Sequence, residues 1–234
     1  MSQGGARAIG AALRLVLVAV SVWHDCAQAG DGVRNWFDEA EPPAVPQVGR
    51  GELLFLPSPP EGRILESINQ LTINRHSLDN GWVDLRQCYR GLDPVPRTEI
   101  VYAYRNMRAL KVESYRDIAA ARAQSASIEL EDVARGAELC VTAQVQILGR
   151  NPDGSHTLRN GPYNRRFLDG YFPMRVKLDV RFPAQYLQLV SLTPAARPGF
   201  EVAQEKGRLG VDALFAGSLT VEAVFAPVGN SLVR

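Results

Sequence analysis

The sequence predicts an all-β protein, an antiparallel β-sandwich with one short helix near residues 116–126. Three observations predict it. Residues 174–182 alternate without a break, Met174, Val176, Leu178, Val180 and Phe182 against Arg175, Lys177, Asp179 and Arg181, which is the period of a half-buried strand. Ten or more short runs of similar character are set apart by turn dipeptides, among them Asn80-Gly81 and Asp169-Gly170. The one stretch with helical character, 116–126, is rich in Ala and Arg, free of Gly and Pro, and at most about three turns long.

The N-terminus reads as an address. Arg7 and Arg14 precede an apolar run at 15–23, polar His24 and Asp25 follow, and Ala27-Gln28-Ala29 offers the small-x-small pattern of a signal cleavage site. Residues 1–29 are therefore expected to be a cleaved secretory signal peptide. The apolar run is short of the roughly 20 residues that span a bilayer, so no integral membrane span is expected after cleavage. The expected location is the periplasm or the extracellular space of a bacterium. Trp23-His24-Asp25, bulky or charged, argue against lipid attachment at Cys26.

Removal of that segment takes away Arg7, Arg14 and Asp25 and leaves 24 basic and 24 acidic residues. A formally neutral chain has no global field to gather nucleic acid, so nucleic acid is excluded as a partner. The 234-residue chain is 46% hydrophobic and 22% charged, an ordinary globular composition. Cys88 and Cys140 remain, and two cysteines in an oxidising compartment predict one disulfide in place of two buried thiols.

Residues 30–50, with Pro42-Pro43 and Pro46, read as an extended lead-in, and 51–234 as the sandwich domain. Within it 51–56 is a short apolar strand stopped by prolines. Asn80-Gly81 turns one strand into the next, which begins at Trp82 and carries Cys88. Asp93-Pro94-Val95-Pro96 is a rigid link to a strand holding Ile100, Tyr102 and Tyr104. Residues 110–113 and 127–130 are strands on either side of the helix, 132–137 is a corner, and 139–148 is a long alternating strand. Turns at 151–154, Asn160-Gly161 and Asp169-Gly170 lead into 174–182. Residue 183 is where a second sub-domain would begin, with strands near 186–192, 199–202, 207–215 and 219–225.

The segment 130–140, with an acidic residue, small residues and then Cys140 inside a strand, resembles the corner before the second cysteine strand of immunoglobulin-like domains. Glu138 stands where that family has a tyrosine, and the expected core Trp is absent, with Tyr102 or Tyr104 as the substitutes. The resemblance covers about a quarter of the chain. It implies an immunoglobulin-like sandwich and no particular function.

Motifs for chemistry are sparse. His76 and His156 lie far apart and no metal-ligand spacing occurs, so no metal and no cofactor is expected. His156, after a Gly-Ser turn, reads as a solvated loop histidine. Ser155-His156 is an adjacent pair on opposite strand faces, unsuited to a nucleophile–base dyad. Asp84, Asp93, Asp169 and Asp179 are the carboxylates from which a glycoside-cleaving pair could be drawn, against their plainer roles as turn formers and solvent-facing residues. No catalytic residue is assigned.

What stands out is a basic group, Arg165, Arg166, Arg175, Lys177 and Arg181. Like charges facing across a hairpin are destabilising unless they share an anion or a carboxylate. These five are the partner-binding candidates, for another envelope protein or an anionic envelope polymer. The expected role is a non-enzymatic protein-interaction or accessory module of the bacterial envelope. The alternative is a carbohydrate-binding module or glycan-active hydrolase, with Tyr163, Tyr171 and Phe172 stacking on sugar rings.

Overall fold

Alternation along the strands decides which side of each faces the core. The computed structural model describes residues 51–167 and 170–229, which fall within the unit Ala44–Arg234. The expected signal at 1–29 and lead-in at 30–50 lie outside the described residues. Along the chain the elements are β1 (Leu54–Phe55), β2 (Leu65–Thr72), the helical turn α1 (Ser77–Asn80), β3 (Trp82–Leu92), β4 (Val95–Val101), β5 (Met107–Ala123), β6 (Ser127–Gln146) and β7 (Leu148–Arg150). There follow β8 (His156–Tyr163), β9 (Arg165–Phe167), β10 (Gly170–Phe172), β11 (Met174–Arg181), β12 (Leu187–Thr193), β13 (Phe200–Glu205), β14 (Arg208–Ala216) and β15 (Leu219–Pro227).

The larger sheet runs β1-β14-β11-β2-β3-β6-β4, with β13 also beside β14 and β5 beside β6; the smaller runs β12-β15-β8-β7. The alternating run at 174–182 is β11, with Met174, Val176, Leu178 and Val180 buried. It is antiparallel to β14 and parallel to β2. Leu71, Val83 and Leu178 of the large sheet share one core with Leu158, Leu219 and Phe225 of the small one, which makes the pair a sandwich. Residues beyond 183 add β13 and β14 to the large sheet and β12 and β15 to the small one.

The Asn80-Gly81 signal marks a reversal, though a wider one than a two-residue turn. Asn74 and Ser77 close the turn that leads into α1, each side-chain oxygen accepting the other's backbone N–H at 3.1 and 3.0 Å. Gly81 ends the turn at φ 75°, where a Cβ would sit 2.6 Å from the Leu148 carbonyl oxygen.

The expected helix near 116–126 is a correction: most of that stretch is the second half of β5. Ile118, Ala120, Ala121, Arg122 and Ala123 pair with β6. Arg116 meets Glu138 at 3.0 Å and Arg122 meets Glu131 at 2.7 Å across the ladder. Helix propensity differences of a few tenths of a kcal/mol per residue are a weak prior against a full ladder of backbone bonds. The expected corner at 132–137 is a bend inside the continuous strand β6, with Asp132 at φ 49° and Gly136 at φ 80°.

That bend has a large effect. Val101 at the end of β4 pairs with Ser127, and Met107 at the start of β5 pairs with Val145. The link between them can span only about 22 Å, whereas the stretch of β6 from Ser127 to Val145 would run about 60 Å if straight. The β5–β6 ribbon is therefore curled. Register shifts in β5 between Arg108 and Lys111, Val112 and Ser114, and Arg116 and Ile118 supply the bending. Inside the curl lies a second core cluster around Tyr102, Ile128, Leu130 and Leu139.

Cys88 and Cys140 form the expected disulfide. They are direct cross-strand partners on β3 and β6. The immunoglobulin pattern places its bridge between two sheets through the core. Here it lies within one sheet, and on the outer face, since Val83, Leu85 and Gln87 take the inward positions of β3. The resemblance at 130–140 thus ends at the local corner.

Candidate functional site

Between the curl and the sandwich lies a cavity of about 370 Å³. Its floor comes from β2 and β3, whose inward residues change character midway. In register, Ser67 faces Tyr89, Asn69 faces Gln87, and Leu71 faces Leu85. The layer is polar at the cavity end and apolar at the other. Asn69 Nδ2 donates to the Ser67 carbonyl and Oγ, both at 3.2 Å, and to the Lys177 carbonyl at 3.3 Å. Gln87 Nε2 donates to Ser67 Oγ at 2.9 Å. The amide oxygens of both residues are buried and have no hydrogen-bond partner.

The opposite wall is tyrosine. The link from β4 to β5 brings Tyr102 and Tyr104, ring centroids 6.3 Å apart and planes 13° from parallel. Tyr104 Oη donates to Asn160 Oδ1 at 2.8 Å, and Asn160 Nδ2 donates to Tyr163 Oη at 2.6 Å. Asn160, fully buried on β8, thus ties the curl to the small sheet. The Tyr102 hydroxyl is buried without a hydrogen bond of good geometry, and its polar neighbour is the Tyr89 hydroxyl. Burial pushes Tyr102 up to about 12. Burial first, and neighbouring tyrosines second, hold Tyr89, Tyr104 and Tyr163 well above the ordinary phenol value. All four are neutral hydroxyls near pH 7, fit to give and take hydrogen bonds and unfit to serve as bases.

At the rim Arg165 grips Asp93, Nη2 to Oδ1 at 2.6 Å and Nε to Oδ2 at 3.1 Å, with Nη1 on the Pro173 carbonyl at 3.2 Å. Arg166 is exposed beside it, its guanidinium 5.8 Å from the Tyr171 ring centroid. Cross-strand partners in the β9–β10 hairpin are Arg165 with Phe172 and Arg166 with Tyr171, so neither faces Arg175. The rest of the basic group stands elsewhere, on the outer face of the large sheet. Arg175 pairs twofold with Asp212, both contacts 2.6 Å, and this hydrogen bonding raises its pKa. Lys177 meets Glu66 at 2.5 Å, and Arg181 lies 3.6 Å from Asp179, which also accepts from Arg208 at 2.7 Å. The structure therefore splits the five basic candidates into a rim pair and a face whose charges are matched by the chain's own carboxylates.

The remaining candidates fall in separate places. Asp84 accepts from Gln144 at 2.7 Å, Asp93 is held by Arg165, and Asp169 lies outside the described residues. Ser155 Oγ donates to Asp153 at 2.6 Å, while His156 Nε2 lies 3.2 Å from the Leu78 carbonyl. His156 is buried at the start of β8, which corrects the solvated loop reading. Of the aromatics proposed for stacking, Tyr163 lies buried in the cavity wall and Tyr171 and Phe172 are half-buried on β10, so the three make no exposed platform. Cys88, Glu113 and Cys140 offer ligand atoms within 4.8 Å of one another. The two sulfurs are joined, and a disulfide sulfur is no thiolate ligand. Gln87, Asn69, Ser67 and Asn160 were not legible as site residues. Their signal is polarity at inward strand positions, as at Ser67 and Asn69 ahead of Leu71.

No protein-family model matches the chain, and no curated protein matches it. It is similar to solved structures of M1 zinc metallopeptidases. A point mutant from Deinococcus radiodurans bound to a Tyr-Ser-Ala substrate aligns at TM-score 0.40 and 10% identity over 78% of this chain and 44% of that one. A second structure of that mutant gives 0.37 and 11% over 78% and 44%. A two-domain M1 zinc metallopeptidase mutant bound to L-tryptophan gives 0.36 and 12% over 70% and 43%. The chain spans less than half the length of these structures. A likeness at this level transfers neither activity nor metal.

Proposed function

We propose that the chain is an exported, non-enzymatic binding module and that the tyrosine-lined cavity is where it binds a small molecule. The observation that carries this is the convergence of buried polar groups, Gln87 and Tyr102, on an apolar cavity of about 370 Å³. Ligand sites combine that size, an apolar lining and a few placed polar groups. Binding suits the site better than catalysis. Its titratable tyrosines stay protonated, and of its two carboxylates Asp93 is committed to Arg165 while Glu99 stands exposed on β4, away from the buried polar groups. The rival reading, an anionic partner at Arg175, Lys177 and Arg181, has to compete with the carboxylates of Asp212, Glu66 and Asp179.

The test is native mass spectrometry of the full chain recovered from the envelope fraction, run beside in-cell crosslinking. A discrete small-molecule mass that leaves on denaturation supports the cavity reading. A crosslinked protein or glycan that is lost in Arg166→Glu/Arg181→Glu, with no small-molecule mass, sinks it in favour of the basic group.

A further inference from the structure

We infer that the cavity selects an uncharged molecule with an apolar body and a single hydroxyl or amide head, and that Gln87 is the residue that reads the head. The inference rests on the cavity being a binding site and adds the chemical class.

The body follows from the walls. Leu65, Ile100, Val133 and Met174 line the cavity together with tyrosine ring faces. Apolar surface taken from water there contributes about 25 cal/mol per Å². The absence of charge on the ligand follows from where the ions stand. Arg165 and Asp93 satisfy each other at the rim, Glu99 and Arg166 stand at the exposed edge in solvent, and the four tyrosines of the interior are neutral. A ligand carboxylate or ammonium moved past them would be buried without a counter-ion, which is strongly unfavourable.

The head follows from two side chains. Gln87 is 3% exposed and Tyr102 is 7% exposed; both line the cavity, and each keeps a buried polar atom outside any well-formed hydrogen bond, Oε1 of Gln87 and the Tyr102 hydroxyl beside that of Tyr89. Gln87 gives Nε2 to Ser67 Oγ, which leaves Oε1 as an acceptor. A half-turn of the amide lets the Ser67 hydroxyl donate to the oxygen and leaves the NH2 as a donor. In either orientation one end of the amide is left over. The Tyr102 hydroxyl both gives and takes. A ligand group that also does both, a hydroxyl or a primary amide, satisfies the pair. A hydrocarbon satisfies neither and leaves buried polar atoms unpaired, the condition under which a site rejects an analogue most strongly.

Three probes of one shape separate the possibilities: naphthol with a hydroxyl, methylnaphthalene without one, and naphthoate with a charge. The full chain is titrated with each by calorimetry, with tyrosine ring signals followed by NMR to locate the contact. Naphthol is expected to bind about tenfold or more tighter than methylnaphthalene, and naphthoate more weakly than either. Gln87→Met is expected to erase the preference while keeping methylnaphthalene binding. Tyr102→Phe gives the same comparison should Gln87→Met not fold, as judged by circular dichroism. Equal binding of naphthol and methylnaphthalene, or a preference that survives both substitutions, overturns the assigned class and leaves the cavity a binding site. No binding of any probe, with no tyrosine signal shifted, overturns the cavity reading itself.

Discussion

The strands β2 and β3 pass through two environments, and the contrast separates what holds this molecule together from what it can do. At one end Leu71, Ile73, Val83 and Leu85 are almost fully buried in the sandwich core. A few residues away on the same strands, Ser67, Asn69 and Gln87 hold the same inward orientation and are buried too, but their amides are only partly bonded. Alternation sets the direction of a side chain and is indifferent to its chemistry. The dry end gains stability from dispersion and burial. The cavity end keeps groups that a purely structural core would replace with leucine. Two of these groups, Ser67 and Gln87, line the space that the curl leaves open against the sandwich.

The largest expected difference between the ends lies in truncation. Leu71→Ala removes a fully buried side chain from a packed core and should cost about 2–5 kcal/mol. Leu65→Ala, on the same strand but half-buried against the cavity, should cost about 1 kcal/mol, because little apolar area is returned to water. Urea melts of the two variants measure this directly. Equal costs would mean that the cavity is closed and packed in solution.

The disulfide comes next. It ties β3 to β6 just where β6 leaves the sandwich for the curl. Closing a 52-residue separation contributes about 4 kcal/mol in the chain-entropy model, and commonly less. Reduction, or Cys88→Ser with Cys140→Ser, should lower the urea midpoint. Hydrogen exchange should rise first in β4, β5 and the N-terminal half of β6, and only later in β11 and β14. Simultaneous loss of protection at both ends would make the molecule one cooperative unit and remove the distinction.

Alkaline pH probes the cavity end alone. Free phenols ionise near 10, and the fold holds Tyr102 up to about 12 and Tyr89, Tyr104 and Tyr163 well above the ordinary value. Above about pH 10 the unfolded chain has lost phenolic protons that the native state still binds. Stability therefore falls as pH rises from about 10 towards 12 and is insensitive to these groups below that window. Absorbance of tyrosinate near 295 nm, read beside circular dichroism, should show four of the chain's seven tyrosines ionising only together with loss of structure. Ionisation of these tyrosines with the fold intact would mean that water already reaches the cavity wall.

The same contrast explains what could be seen from the residues. The run at 174–182 was legible because its alternation records the pleat directly, and β11 has the expected burial. Its parallel neighbour β2 was not, because partners more than 100 residues apart leave no local mark. The turn residues at 132–137 announced a corner, yet only the register of β4, β5 and β6 turns that corner into a curl. Residues 116–126 misled because intrinsic propensity was the only local signal, and long-range pairing outweighs it. Tyr102, Tyr104 and Tyr163 were each visible as aromatic residues. The meeting of Tyr104 and Tyr163 at Asn160, with Tyr102 stacked on Tyr104, depends on the curl, which no short window contains.

The smallest expected effect is the most discriminating. Gln87→Met exchanges a partly satisfied buried amide for an apolar side chain of similar length. The lost bond to Ser67 Oγ is worth about 1 kcal/mol, and removing an unpaired buried carbonyl returns a similar amount. The net change should lie within about 1 kcal/mol of zero, in either direction. A comparable polar-to-apolar exchange at Asn160 should behave differently. Asn160 gives and takes fully, linking Tyr104, Tyr163 and the Gly161 N–H, so Asn160→Leu strands three partners and should cost about 2–4 kcal/mol. Thermal melts of the two variants decide the matter. If Gln87→Met proves as damaging as Asn160→Leu, Gln87 belongs to the architecture. If it is neutral, an amide with no structural task has been kept in a buried layer, and recognition of a ligand is the task left for it.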